Sequence, residues 1–346
     1  MPVHTNSSGS HDARGNSIAF PGRQASLSGP ERAGEWIAIG LINNMPDAAF
    51  RATERQFVSL LGAAAGDHTQ ILLHLYLLPE IPRMALSASD ACKYSSIETL
   101  GDTRLDGLIV TGREPVMQDL RQECYWGSLT RVLEWAKENT CSAVWSCLAA
   151  HAAVFHLDGI CRRRNGKKIS GVMECERVSE HRLNANTASR FHVPHSRYNG
   201  VAEDDLAAGG YRVLARAADA GVDTFVKEGK SLFVFLQGHP EYESGTLLRE
   251  YRRDVERYLR RESETYPSMP RAYFDSSTEA NLIALGEQAL SARSEKLMAG
   301  FNRALLEKNI ENTWRRPGIS LYRNWLEYLG ARKCAGKRAS EGLLVA

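Results

Sequence analysis

Short apolar runs alternate with segments of helical periodicity along much of the chain. The early runs, each bounded by turn residues, lie at residues 36–42, 71–78, 105–112 and 143–146. Such runs are typical of buried strands, and residues 50–61 and 125–137 between them carry apolar side chains at helical spacing. Strands that alternate with helices predict parallel pairing, with ligands bound at the carboxyl ends of the strands. The pattern therefore predicts an α/β fold with a mainly parallel sheet.

The same pattern suggests where the domain begins and ends. Residues 1–34 are rich in Ser, Gly, Pro, Asn and Arg, so we expect a disordered N-terminal tail. A single domain then covers residues 35–333, and its helical, polar part from about residue 279 is expected to be an appended surface element. Residues 334–346 are assigned to a C-terminal tail. Later strand-like runs lie at residues 169–172, 211–215, 224–226 and 231–236.

Composition excludes several classes of protein. The 346 residues are 43% hydrophobic, which supports a sizeable core. Lys plus Arg number 43 against 41 for Asp plus Glu, so the net charge of +2 offers no case for a nucleic-acid or membrane partner. The seven cysteines form no CxxC pair and their odd number argues against a disulfide framework. We expect a cytoplasmic enzyme without a metal centre, a signal peptide or a membrane span.

Cys147 is the first residue that suggests chemistry. It stands where an apolar strand turns abruptly into a helix. A helix N-terminus stabilises a thiolate, and the N–H groups beside it lack intrahelical partners and can receive an oxyanion. Cysteine is also a common small core residue, so this stretch by itself leaves inert packing open.

A second candidate lies beyond the last apolar run, in the turn Gly238-His239-Pro240-Glu241. Its proline restricts the backbone and its glycine permits a close approach. A thiol nucleophile needs a base within reach, and often a carboxylate that orients the base. Cys147, His239 and Glu241 therefore satisfy the roles required for acyl chemistry, although histidines near strand ends are often only surface residues.

Taken together, the motifs resemble those of the homoserine O-acyltransferases in the class I glutamine amidotransferase-like superfamily, usually called homoserine O-succinyltransferases. The resemblance covers most of the chain. Besides the Cys147 turn and Gly238-His239-Pro240-Glu241-Tyr242, it rests on Asn43-Asn44-Met45-Pro46, Thr53-Glu54-Arg55-Gln56-Phe57, Asp106-Gly107-Leu108-Ile109-Val110-Thr111-Gly112, Tyr125-Trp126, Leu133-Glu134-Trp135, Lys168-Ile169-Ser170-Gly171-Val172, Pro194-His195-Ser196-Arg197-Tyr198, Arg253-Asp254-Val255-Glu256, Trp314-Arg315 and Asn324-Trp325-Leu326.

This resemblance implies a three-layer sandwich and a ping-pong mechanism. Cys147 would take an acyl group from acyl-CoA as a thioester, and His239, oriented by Glu241, would be the general base. The N–H groups of Cys147 and Leu148 would form part of the oxyanion hole. No permanently bound cofactor is implied, because succinyl-CoA or acetyl-CoA is a co-substrate. The partners are small molecules, and the family usually forms homodimers.

The resemblance also assigns residues to the substrates. Arg253 matches the position that holds the amino-acid carboxylate, while Lys168 and Ser196 match other substrate-contacting positions. Val116 falls where the family selects the acyl group, a position that is small for succinyl and Glu for acetyl. Val116 is neither. Arg113 offers a cation for a succinyl carboxylate, although an exposed loop arginine is the alternative.

We therefore expect an O-acyltransferase that acts on L-homoserine and uses succinyl-CoA rather than acetyl-CoA. Three alternatives stay open from the sequence. The acceptor is a different hydroxy amino acid, such as serine in a specialised pathway; or the chain hydrolyses glutamine as its amidotransferase relatives do; or it is a binding module of this fold. Retention of all three catalytic residue types argues against the last.

Overall fold

A computed structural model describes residues 2–5, 35–67, 69–84, 86–305 and 310–344. The chain divides into two compact units, each assembled from separate segments. The first unit contains Met1–Ala153, Glu228–Val234 and Tyr322–Ala346, and the second contains Val154–Lys227 and Phe235–Leu321. No helix in the described ranges is long and apolar enough to cross a membrane.

The elements follow the predicted alternation in the first half of the chain. The strands are β1 (Val3–Thr5), β2 (Glu35–Ile42), β3 (Thr69–Leu77), β4 (Tyr94–Ser96), β5 (Gly107–Val110), β6 (Ser142–Ser146), β7 (Arg163–Arg177), β8 (Arg190–Gly200), β9 (Arg212–Ala217), β10 (Gly221–Lys227) and β11 (Leu232–Leu236). The α-helices are α1 (Asp47–Ala65), α2 (Ala88–Ala91), α3 (Trp126–Asn139), α4 (Leu148–Asp158), α5 (Glu203–Ala208), α6 (Thr246–Leu259), α7 (Ser276–Ser291), α8 (Met298–Leu305) and α9 (Arg315–Leu344). Short 3-10 helices cover Ile97–Asp102, Leu120–Gln122, Arg182–Asn184 and Glu295–Leu297.

The sheet of the first unit has the strand order β1-β3-β2-β5-β6-β11, with β4 also paired to β3. The pairs of β3 with β1, β2 and β4, and of β5 with β2 and β6, are all parallel. Strands β5 and β6 are buried along their whole length, as expected where helices cover both faces of a parallel sheet. The predicted α/β class with a mainly parallel sheet is confirmed.

The beginning of the chain differs from the expected tail. Residues 6–34 of that predicted tail lie outside the described residues, but Val3–Thr5 forms β1 and pairs in parallel with β3, with Val3 opposite Ile71. The carbonyl of Pro2 also accepts a hydrogen bond of 2.7 Å from the Ile71 N–H. This part of the tail prediction is corrected, because an edge strand offers unpaired backbone groups that even a short extended segment can satisfy.

Helix α9 is part of the core of the first unit rather than a surface appendage. Its Trp325 is 2% exposed, and the indole Nε1–H donates to Ser142 Oγ on β6 over 2.9 Å. A Cβ at Gly107 on β5 would lie 2.7 Å from Leu329 Cδ1 and 2.9 Å from Trp325 Cζ2, so glycine permits this close packing. The helix continues to Leu344, and the segment predicted as a C-terminal tail is therefore helical over most of its length.

The second unit is antiparallel in its strand pairs, which the periodicity does not reveal. Strand β7 pairs antiparallel with β8 and β9, and β9 pairs antiparallel with β10. Strands β9 and β10 are joined by a tight turn that ends at Gly221, whose φ of 71° suits glycine. Helices α6, α7 and α8 share a buried apolar cluster that includes Val255, Leu282 and Phe301, so the elements after residue 279 contribute to a core.

Candidate active site

Cys147 occupies a strained turn between β6 and α4. Its φ is 53°, a left-handed value that non-glycine residues rarely adopt. The carbonyl of Cys147 accepts a hydrogen bond of 3.0 Å from the Ala150 N–H, so helical bonding starts directly after the turn. The residue is 8% exposed. A reactive residue on a sharp strand-to-helix turn has the geometry of a nucleophile elbow.

Gly112 allows the loop after β5 to lie against the start of α4. A Cβ at this position would lie 2.7 Å from the backbone nitrogen of Leu148 and 2.6 Å from that of Ala149. The first N–H groups of a helix have no intrahelical acceptor, so Leu148 contributes a donor next to the thiol. Any larger residue at Gly112 would fill the space in front of these donors. This geometry suits the predicted oxyanion hole.

A pocket of about 310 Å³, including its open mouth, lies beside the start of α4 within the first unit. Leu120, Leu129 and Leu148 contribute apolar wall, and the half-buried Arg113 contributes a cation. Val116 does not line this pocket and is 77% exposed. The two predicted acyl-specificity residues therefore lie in different surroundings.

Two polar residues of this pocket were missed by the sequence interpretation as site residues. Asn44 donates from Nδ2 to the Thr111 carbonyl over 2.9 Å, and the Thr111 hydroxyl accepts from the Asn44 N–H over 2.8 Å. Both residues are buried. These bonds tie the carboxyl ends of β2 and β5 together beside Gly112. The Asn-Asn-Met-Pro and Thr-Gly motifs were the sequence signal that could have identified both residues.

The base candidate is fixed on several sides within the second unit. His239 Nδ1 lies 2.8 Å from Glu241 Oε1, and the His239 N–H donates to the Pro194 carbonyl over 2.8 Å. The ring of Tyr242 stacks on the imidazole at 4.2 Å between centroids. A Nδ1–H donated to the carboxylate leaves Nε2 as the basic nitrogen. The structure thus brings together the predicted base and its predicted orienting acid.

Lys168 and Arg253, both predicted substrate-binding residues, share Asp254. Lys168 Nζ donates to Asp254 Oδ2 over 2.8 Å, and Arg253 Nη2 donates to Oδ1 over 2.7 Å. Burial opposes ionisation of Asp254, but Lys168 first and then Arg253 hold the pKa of its carboxyl below the ordinary value. Arg253 and its neighbour Arg252 are both exposed, but the ion pair with Asp254 is made by Arg253. Of the two neighbouring arginines, Arg253 is therefore the one that joins this cluster.

Ser196 has a partner that the sequence interpretation did not single out. Its hydroxyl donates to Glu250 Oε2, and the Tyr242 hydroxyl donates to Glu250 Oε1 over 2.7 Å. Glu250 precedes Arg253 by three residues on α6, so the two side chains share one face of the helix. That spacing was the signal that could have identified Glu250.

A family model described as homoserine O-succinyltransferase matches residues 27–335. Homoserine O-succinyltransferases from Rhodopseudomonas palustris and Bradyrhizobium japonicum are 46% and 44% identical to this chain. These alignments cover 86% and 85% of this chain and 90% of each relative. The chain belongs to the homoserine O-succinyltransferase family. It is accordingly an acyltransferase.

Solved structures similar to this family member include glutamine amidotransferases. One from Methylobacillus flagellatus is 12% identical, covers 85% of this chain and 95% of its own, and has a TM-score of 0.47. One from Thermotoga maritima is 13% identical, covers 85% of this chain and 98% of its own, and has a TM-score of 0.43.

The predicted site residues of this homoserine O-succinyltransferase family member fall into two sets. Those in the first unit are Cys147, Leu148, Arg113 and Val116, whereas those in the second are His239, Glu241, Lys168, Ser196 and Arg253. The first set contains a candidate nucleophile, backbone donors and a pocket. The second contains an oriented base and paired charged groups. Groups of both kinds are among those that acyl-transfer chemistry uses.

Proposed function

We propose that this protein transfers a succinyl group from succinyl-CoA to the hydroxyl of L-homoserine through a thioester on Cys147. The observation that carries this proposal is the left-handed turn that holds Cys147 at the N-terminus of α4. The relatives named homoserine O-succinyltransferase, at 40% to 46% identity, support the choice of donor and acceptor. The product would be O-succinyl-L-homoserine, in methionine biosynthesis.

In the first half-reaction the Cys147 sulfur attacks the thioester carbonyl of the donor. A carbon–sulfur bond forms as the Cys147 thiol loses its proton, and the developing oxyanion accepts hydrogen bonds from backbone N–H groups including that of Leu148. The carbon–sulfur bond to CoA then breaks, and CoA leaves as a thiolate that takes up that proton. In the second, the homoserine hydroxyl gives its proton to His239 Nε2 as its oxygen attacks the acyl-enzyme. The Cys147–acyl bond then breaks, and Glu241 stabilises the imidazolium.

The charged groups of α6 suit the acceptor. The planar fork of Arg253 matches the α-carboxylate, and Lys168 adds a second positive charge on the other side of Asp254. Glu250, held by two hydroxyl donors, offers its carboxylate to the α-ammonium group. An amino acid presents both charges on one carbon, so opposite charges one helical turn apart supply complementary contacts. This contact pattern supports an amino-acid acceptor.

The pocket beside α4 suits a dicarboxylic acyl chain. Its leucines can cover the methylenes, and Arg113 offers a cation to the distal carboxylate. Burial lowers the pKa of the nearby Arg83, and the positive charge of Arg113 adds to that shift. A carboxylate at this position would offset the repulsion between the two guanidinium groups. An acetyl group has no such carboxylate, so these contacts favour succinyl.

The deciding experiment follows the two half-reactions separately by intact-protein mass spectrometry. Wild-type protein incubated with succinyl-CoA should gain one succinyl group, and homoserine should remove it. Cys147→Ala should gain none, because no nucleophile remains at the turn. Acylation of a different cysteine, with Cys147 unmodified, would refute the proposed nucleophile, and release of the acyl group by serine but not homoserine would refute the acceptor.

Two adjacent variants test the acceptor half of the same reaction. Arg253→Ala should still form the acyl-enzyme but lose about ten- to hundredfold in its reaction with homoserine, as expected for one charge-assisted pair. Arg252→Ala is the matched control and should react as wild type, because this side chain lies outside the cluster. The reverse outcome would mean that the carboxylate is held elsewhere. The family resemblance also leads us to expect a cytoplasmic homodimer with no resident cofactor.

A further inference from the structure

A buried chain of charged and polar side chains lies behind the turn that carries His239. Arg197 Nε donates to His195 Nδ1 over 3.2 Å, and His195 Nε2 lies 3.1 Å from Asp223 Oδ1. All three residues are less than 5% exposed. The catalytic roles assigned above use none of them.

The direction of the Arg197 contact determines the protonation state of His195. A guanidinium only donates, so Nδ1 must be the acceptor and the ring proton must be on Nε2, facing Asp223. Burial lowers the pKa of His195, which keeps the ring neutral. His195 at 3.1 Å, a hydrogen bond of 2.7 Å from the Thr224 hydroxyl and the charge on Arg197 hold the pKa of Asp223 below its ordinary value despite burial. Arg197 is therefore a cation, the His195 ring is neutral, and Asp223 is an anion.

This protonation state also argues against a metal centre. Cys175 lies close enough to His195 and Asp223 for the three ligand atoms to be within 4.8 Å of one another. A metal on Nε2 would require that atom to be unprotonated, and the proton would then have to move to Nδ1, where Arg197 already donates. Burial also raises the pKa of the Cys175 thiol. The Arg197–His195 hydrogen bond and the close contact of His195 with Asp223 account for the cluster better than metal ligation does.

His195 and Asp223 pack directly against the turn that carries His239. A Cβ at Gly238 would lie 2.6 Å from Asp223 Oδ1 and 3.0 Å from His195 Nε2, so glycine is required for this contact. The carbonyl of Asp223 accepts from the Gln237 N–H over 2.8 Å, and the carbonyl of Pro194, next to His195, accepts from the His239 N–H. The backbone on both sides of Gly238 is thus held by Asp223 and by Pro194, the neighbour of His195.

We propose that Arg197, His195 and Asp223 are positioning residues that hold the Gly238 turn and set the electrostatic environment of His239. This inference rests on the proposed role of His239 as the base. Charged or titratable groups around the pair and the turn include Glu241 on the turn, His195 and Arg197 from β8, Asp223 from β10, Cys175 from β7, and Glu250 of α6 through the Tyr242 hydroxyl.

The first test reads the histidine rings directly by NMR of ring-labelled protein, with resonances assigned from His239→Gln and His195→Gln. Between pH 6 and 8, His195 should show a protonated Nε2 and an unprotonated Nδ1. A protonated Nδ1, or an imidazolium, would overturn the inference. This readout needs no catalysis, so it separates failure of the positioning role from failure of the proposed function.

The second test changes the charge while keeping the shape. Asp223→Asn retains an acceptor for His195 but removes a negative charge near His239, so the titration midpoint of His239 should move to lower pH by about half a unit or more. Asp219→Asn is the matched control, because Asp219 lies on the same hairpin but is exposed and paired with Arg271. An unmoved His239 midpoint in Asp223→Asn would refute the electrostatic role.

The third test separates hydrogen bonding from filling of space. His195→Gln keeps a polar group beside Asp223, whereas His195→Leu has a similar size and cannot hydrogen bond. We expect the acyl-enzyme of His195→Leu to react with homoserine at least about tenfold more slowly than that of His195→Gln. Equal rates would contradict positioning through hydrogen bonds. Stoichiometric metal in purified protein, with loss of activity on chelation, would assign the cluster to a metal instead.

Discussion

Arg113 and Val116 lie three residues apart in one loop, yet only Arg113 lines the pocket beside α4. The family resemblance gives the acyl-selecting position to Val116, which is largely exposed. An exposed valine contributes little discrimination between acyl groups, whereas a half-buried guanidinium distinguishes an acyl group with a carboxylate from one without. We therefore propose that Arg113, rather than Val116, selects the acyl donor.

We predict that Arg113→Leu lowers the rate of Cys147 acylation by succinyl-CoA about ten- to hundredfold, the cost of one charge-assisted pair. Acylation by acetyl-CoA should change less than about threefold. Val116→Ala is the control in the same loop, and its succinyl-to-acetyl ratio should stay that of wild type. A ratio that responds to Val116→Ala and not to Arg113→Leu would return the role to Val116.

Helix α9 has a structural role in the first unit that its polar composition conceals. Trp325 and Leu329 pack against Gly107 of β5, and the Trp325 indole bonds to Ser142 on β6, the strand that leads to Cys147. Lys333 donates to Asp106 Oδ2 over 2.7 Å and to the Trp36 carbonyl over 2.8 Å. The helix thus packs on the sheet that carries Cys147, the proposed nucleophile.

Trp325→Ala should lower the free energy of unfolding by about 3–5 kcal/mol, because it removes a buried aromatic side chain and leaves a cavity against β5 and β6. Arg323→Ala, an exposed change on the same helix, should alter it by less than about 0.5 kcal/mol. Urea denaturation followed by circular dichroism measures both. Equal stability of the two variants would show that α9 is dispensable to this core.

Two histidines, one in each unit, should make the stability of the protein fall in mildly acidic solution. Burial lowers the pKa of His74 in the first unit and of His195 in the second below the ordinary value of 6.5. Below that pH the unfolded chain binds a proton that the folded chain does not, so stability is complete above about pH 6.5 and is lost as the pH falls towards the folded pKa. Each histidine can contribute a slope of up to about 1.4 kcal/mol per pH unit.

Urea denaturation at pH 7.5 and 5.5 measures this loss. We expect wild type to be less stable at pH 5.5, and His74→Gln to lose less on acidification, since glutamine does not titrate. His4→Gln is the control, because His4 is exposed. A wild type with equal stability at both pH values would contradict the expectation that these histidines stay neutral in the folded protein. Asp254 and Asp223, whose pKa values are held low, should add a further loss only below about pH 4.

The sequence by itself was sufficient for the parallel strands β2, β3, β5 and β6. Strands β5 and β6 are buried throughout and β2 and β3 in large part, which leaves apolar runs that a search for periodicity detects. It also identified Cys147, His239 and Glu241 as candidates. These residues follow apolar strands, and strand ends in an α/β pattern are where reactive side chains gather. The elbow at Cys147 and the His239–Glu241 pair depend on local chain order, which a sequence displays.

The tertiary structure alone decided which side chains meet across long separations. Nothing local in the sequence pairs Ser196 with Glu250, brings Lys168 to Asp254, or places Asp223 behind Gly238. The antiparallel strands of the second unit and the burial of α9 also depend on contacts between distant segments. Such contacts arise from packing, and packing responds to shape and charge in three dimensions, which hydrophobic periodicity along the chain does not encode.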